Sequence, residues 1–144
     1  QHYADANTTA QKAGFKPGTP IIDLTGQSPG ILYAIGAINI GQPWTVGGYP
    51  GSEALAIAML RKVDCQELAT AWLLVEPEGH RKISPQILFS FGMNMASDFE
   101  AAGNFFTAAG AGGYKEARDQ LLYKPIRSVE TSAAACEAGM KVSK

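Results

Sequence analysis

The residues best suited to chemistry are Asp23, Thr25 and Gln27, which follow the apolar run Ile21-Ile22 at alternate positions. Carboxylate oxygens accept hydrogen bonds, a hydroxyl gives and takes, and an amide does both, so the set suits a ligand rich in hydroxyl groups. Ser28-Pro29 next reads as a helix start, with Ser as N-cap and Pro at the first helical position. A second set, Gly48, Tyr49 and Ser52, lies in Gly47-Gly48-Tyr49-Pro50-Gly51-Ser52, just before another predicted helix. Exposed N–H groups at such a start attract phosphate or carboxylate. Blander readings serve both sets. Asp23 can be a turn residue bonding the backbone of Thr25 or Gly26, and the glycines can supply positive φ angles to a turn.

Trp44, Tyr49, Gln27, Asn94 and His80 make a looser group, since aromatic faces with nearby amides suit sugars. His80, between Gly79 and Arg81, reads more simply as a solvated loop residue. No His, Cys and Asp spacing suits zinc, so no metal is expected. No Gly-x-Ser-x-Gly elbow is present. The Gly47–Ser52 run is neither Gly-x-Gly-x-x-Gly nor a Walker loop, so no cofactor is expected. Asp23-Leu24-Thr25-Gly26 resembles the nucleophile motif of haloacid dehalogenase-type phosphoryl-transfer enzymes and cation-pumping ATPases, which place a nucleophilic Asp after an apolar strand. The second Asp of that pattern is absent here, and no downstream Asp-Asp pair could hold magnesium. No complete catalytic constellation emerges, and the catalytic residues, if any, are unassigned.

These residues need a scaffold. Ile21–Leu24 reads as a buried strand, continuous rather than alternating, as when both faces are covered. Ile31, Leu32, Ile35 and Ile38 give the following helix one apolar face, with Gly36 able to end it early. Asp5–Ala13 reads as a short helix stopped at Gly14, and Trp44–Val46 as a short strand. Ser52 is the expected cap of a helix whose buried stripe is Leu55, Met59, Leu60 and Val63. Cys65–Leu68 reads as a helical turn, and Thr70–Glu76 as the clearest strand. Ser84-Pro85 repeats the Ser-Pro helix start. Asp98–Phe106 reads as helix interrupted at Gly103; Glu116–Leu122 has helical propensity, but 121–126 reads better as an edge strand ending at Pro125. The fold predicted is α/β: a three-layer sandwich around a small, mainly parallel, Rossmann-like sheet, with room for an antiparallel edge strand.

The 144 residues fit one domain with a real core, closed by a small, polar tail at 128–144. A net charge of -1 gives no electrostatic case for nucleic acid, and no window approaches the roughly 20 apolar residues of a membrane span. The chain starts Gln1-His2-Tyr3, which reads as a processed protein or an excised piece. Cys65 and Cys136 have two readings. Both are buried free thiols, or they form a disulfide anchoring the tail, which would fit an oxidising compartment.

The chain as a whole, from the Asp-Leu-Thr-Gly-Gln-Ser-Pro-Gly turn to Trp44 and Gly47–Ser52, resembles the soluble extracytoplasmic domains of bacterial polytopic membrane proteins, including glycosyltransferases that use lipid-linked sugars. The resemblance implies a periplasmic or cell-surface location, with a membrane-embedded remainder of the parent protein as partner. It also implies an accessory role, or one in binding a sugar or sugar phosphate. A cytoplasmic location, a self-contained enzyme acting on a phosphorylated metabolite, and a structural interaction domain are the alternatives.

Overall fold

The computed structural model describes residues 8–25, 32–33, 35–40, 51–76, 82–107 and 118–142. It is a mixed α/β fold built on a five-stranded sheet of order β2-β1-β3-β5-β4. The strands are β1 (Pro20–Asp23), β2 (Ile38–Asn39), β3 (Trp72–Val75), β4 (Phe99–Thr107) and β5 (Arg118–Pro125). β2, β1 and β3 pair in parallel, and β5 and β4 extend the sheet on one side by antiparallel pairing.

Strand alternation divides the core in two. Ile22, Leu24, Leu73 and Val75 join one cluster, while Ile21, Trp72 and Leu74 join the other. The first face is covered by α1 (Ser52–Leu60), α2 (Cys65–Thr70), a 3-10 helix (Pro85–Phe91) and α4 (Val129–Val142); the short α3 (Met95–Asp98) leads into β4. The second is covered by helical residues 8–12 and by Phe15, Leu32 and Ile35, and Phe15 meets Trp72 edge-on at 5.2 Å. Both β1 and β3 are thus buried on two sides, which is why β3 is an unbroken apolar run and β1 is apolar at Ile21 and Ile22, up to Asp23 at its end.

Several expectations need correction. The helix predicted over Ile31–Ile38 ends early, as Gly36 allows, in a turn at 35–36 where Gly36 has φ +74°, and Ile38 belongs instead to β2. The buried stripe of α1 is Ser52, Ala56 and Leu60, whereas Leu55 is 41% exposed. Asp98–Phe106 is almost wholly strand, because β4 pairs with β5 from Phe99 to Thr107 and cross-strand contacts override the helical propensity of Glu100-Ala101-Ala102. The antiparallel strand at 118–125 is therefore internal, flanked by β4. The supposed tail is α4. Ser128 caps it by accepting from the Thr131 N–H at 3.2 Å.

Cys65 and Cys136 form a disulfide, with Cα atoms 5.7 Å apart, that joins the first residue of α2 to the middle of α4. A cross-link between residues 71 apart in sequence restricts the unfolded chain by about 4 kcal/mol in the loop-entropy account.

Candidate functional site

The carboxyl ends of β1 and β3 lie side by side. Asp23 pairs with Leu74, and the Leu24 N–H donates to the Leu74 carbonyl at 2.9 Å. The Leu24 carbonyl then accepts from the Ile83 N–H at 2.8 Å, so the segment entering the 3-10 helix runs along the same edge. Parallel α/β sheets carry their ligands at such edges.

Asp23 ends β1 in phase with Ile21, and its carboxylate is held by a local turn. Oδ1 accepts from the Thr25 N–H at 2.9 Å and from the Thr25 hydroxyl at 2.6 Å. Thr25 is completely buried and Asp23 partly so. The turn explains why Asp and Thr stand two apart. A short acceptor closes the chain on itself, and a buried hydroxyl needs a partner.

A second polar pair stands beside it. Glu76 follows Val75, and Gln120 precedes Leu121, which pairs with Val75 across β3 and β5. Both side chains are buried, and Gln120 Nε2 donates to Glu76 Oε1 at 2.9 Å. Alternation puts Glu76 in phase with Trp72 and Leu74, on the face that Asp23 also takes. With Asp23 opposite Leu74, the Cα atoms of Asp23 and Glu76 stand about 8 Å apart by strand spacing. Two carboxylates and a carboxamide on one face of one sheet edge can accept several hydroxyl hydrogen bonds.

Among the residues expected to form the site, Asp23 and Thr25 are brought together. Ser52 is the first residue of α1, not its cap. Gly51, with φ +83°, takes the cap position, and Ser52 is buried in phase with Ala56 and Leu60. Gln27, Gly48 and Tyr49 lie outside the described residues, as do Trp44 and His80. Asn94 caps the short α3: its side chain accepts from the Ala96 N–H at 2.8 Å, while Asp98 accepts from the Asn94 N–H at 2.8 Å. Among the described residues, no group of three or more His, Cys, Asp or Glu is placed to hold a metal ion. Nor is any helix there long and apolar enough to cross a membrane. The Glu76–Gln120 pair escaped sequence reasoning because it exists only through the β3–β5 register; a polar residue ending each apolar run was its one trace.

No protein-family model matches the chain, and neither a curated protein nor a solved structure matches it.

Proposed function

We propose that this chain is a binding domain for a sugar or sugar phosphate, working outside the cytoplasm as an accessory to a membrane-embedded, glycosyltransferase-like remainder of its parent protein. In this reading the parallel half of the sheet works in the Rossmann-like manner, taking its ligand at the carboxyl edge. The observation that carries it is the polar edge itself: Asp23 with Thr25, and Glu76 with Gln120, at the ends of the otherwise apolar runs Ile21-Ile22 and Trp72–Val75 and on the strand beside them. The two bonds from Thr25 fix the Asp23 carboxylate, and ligand hydroxyls donate to it in addition. The Cys65–Cys136 disulfide supports an oxidising compartment. An interaction domain without a small ligand is the competing reading, favoured by the use of Asp23 Oδ1 in its own turn.

Asp23→Asn separates the two. It keeps Oδ1 for Thr25 and removes the charge, so the fold persists while a charged hydrogen bond to ligand is lost, roughly a tenfold to hundredfold weakening. Saturation-transfer NMR against neutral sugars, sugar phosphates and nucleotide sugars is the assay. Silence across the panel overturns the sugar reading in favour of the interaction domain, and equal binding by Asp23→Asn overturns the placement of the ligand at Asp23.

A further inference from the structure

Among the described residues, three kinds of contact hold α4 besides its packing on the first core cluster. The disulfide joins Cys136, completely buried, to Cys65. Arg127 clamps the approach to the helix: Nε donates to Ser132 Oγ at 2.8 Å, Nη2 donates to the Gly92 carbonyl at 2.9 Å, and Nη1 pairs with Asp98 at 3.3 Å. Close backbone approach supplies the third. A Cβ on Gly92 would stand 2.5 Å from the Ala135 carbonyl oxygen, and one on Gly139 3.0 Å from that of Ser90.

Among the described side chains of α4, no large apolar one is buried. The buried side chains described on α4 are Ser132, Ala133 and Cys136. Apolar stabilisation follows the area removed from water, so the described side chains of α4 contribute little of their own to keep the helix seated. The sheet is the opposite case: Ile21, Leu73, Leu74 and Leu122 are wholly buried on it.

We infer that the Cys65–Cys136 disulfide is a latch, and that its reduction releases α4 from α2 and the 3-10 helix while the five-stranded sheet stays folded. The reductant is a dithiol. One thiolate attacks a sulfur of the bond, giving a mixed disulfide, and the second thiolate displaces the remaining protein sulfur. Two electrons and two protons pass to Cys65 and Cys136, which become thiols, and the reductant leaves as its own disulfide. Cys136 is fully buried and Cys65 nearly so, so the attack waits for a local opening and the latch is slow. This inference does not depend on the sugar reading.

The magnitude comes from the local tether, not from the whole loop. With β5 in place, Cys136 is tied to Pro125 by about ten residues, and closing such a loop is worth roughly a hundredfold in the opening equilibrium. Amide hydrogen exchange on the full chain, oxidised and then reduced with dithiothreitol, reads this directly. Reduction lowers protection across 132–142 by about a hundredfold, while amides of β1 and β3 remain the slowest in the molecule. A Cys65→Ala, Cys136→Ala double variant reproduces the reduced pattern without reductant; if it does not fold, the dithiothreitol-treated protein carries the test alone. The latch is overturned if α4 keeps its protection to within about threefold. It is equally overturned if the strands lose protection together with α4, which makes the bond a staple of the whole fold. Two free thiols in the untreated, denatured protein also overturn it.

Discussion

Gly92 offers a stringent test of how α4 is seated. It ends the 3-10 helix in the left-handed region, with φ +68° and ψ 22°, and its N–H donates to the Phe89 carbonyl at 3.2 Å. An alanine there meets two costs. The left-handed backbone costs a residue with a Cβ about 1–2 kcal/mol. The Cβ itself would lie 2.5 Å from the Ala135 carbonyl oxygen, 2.7 Å from its carbon and 2.8 Å from the Ala135 Cβ. Those atoms belong largely to the backbone of α4, next to the disulfide-bonded Cys136, so the obstacle cannot rotate out of the way. Overpacking of this kind adds about 1–3 kcal/mol. Gly14 isolates the first cost: its φ is +92° and nothing lies within 4 Å of its would-be Cβ. Gly14→Ala should therefore cost about 1–2 kcal/mol, and Gly92→Ala about 2–5 kcal/mol. Urea unfolding of the oxidised chains, compared at a common m-value, measures both. Equal losses, to within about 0.5 kcal/mol, would show that α4 does not approach Gly92 as described.

Two further predictions concern the first face of the sheet. Leu60→Ala, at the buried end of α1, should lower stability by about 2–5 kcal/mol, whereas Leu55→Ala, on the exposed side of the same helix, should change it by no more than about 0.5 kcal/mol; chemical denaturation that ranks them the other way would misplace the helix face. Arg127→Ala removes the clamp on Ser132, Gly92 and Asp98 and should cost about 1–3 kcal/mol, with Arg127→Lys recovering only part, because one ammonium cannot reproduce the forked contacts; full recovery by Lys in thermal unfolding would reduce the clamp to simple charge.

The sequence carries the parts of this fold that bury large side chains. Ile21–Leu24 and Trp72–Val75 are legible because both faces of each strand lie under helices, so the apolar run is continuous and short. Pro125 marks the end of β5 for the same local reason that proline closes strands elsewhere. β4 is hidden by its own irregularity. The register shifts between Ala101 and Gly103, and that bulge reverses the alternation, so Phe99 and Phe105, six residues apart, join opposite clusters. A period-two pattern cannot survive such a shift. α4 is hidden by size, since its buried described side chains, Ser132, Ala133 and Cys136, are all small; the readable signal was the Ser128 cap with Glu130 in the first turn. At the site, the Asp23–Thr25 turn is local and could be read from spacing. Glu76 and Gln120, 44 residues apart, meet only when two strands take their register.

The two halves of the functional reading rest on different layers of the molecule, and this decides how they can fail. Cys136 sits in the cluster that contains Leu73 and Val75, whereas Asp23 and Glu76 are in phase with Ile21 and Leu74 on the other side of the same sheet. α2, which carries Cys65, runs through Ala71 directly into β3, which delivers Glu76, so the latch and the polar edge share one short rigid segment. Releasing α4 uncovers the first face of that segment. The position of Glu76 is set instead by its hydrogen bond from Gln120 and by the pairing of β3 with β1 and β5. None of these contacts passes through α4. A strand paired on both sides is held by its ladders and by the packing of both faces, so losing a lightly seated helix from one face leaves the acceptors of the edge where they are. On the two proposed readings, the redox latch and ligand binding at the carboxyl edge are therefore expected to be separable, each addressed by its own perturbation.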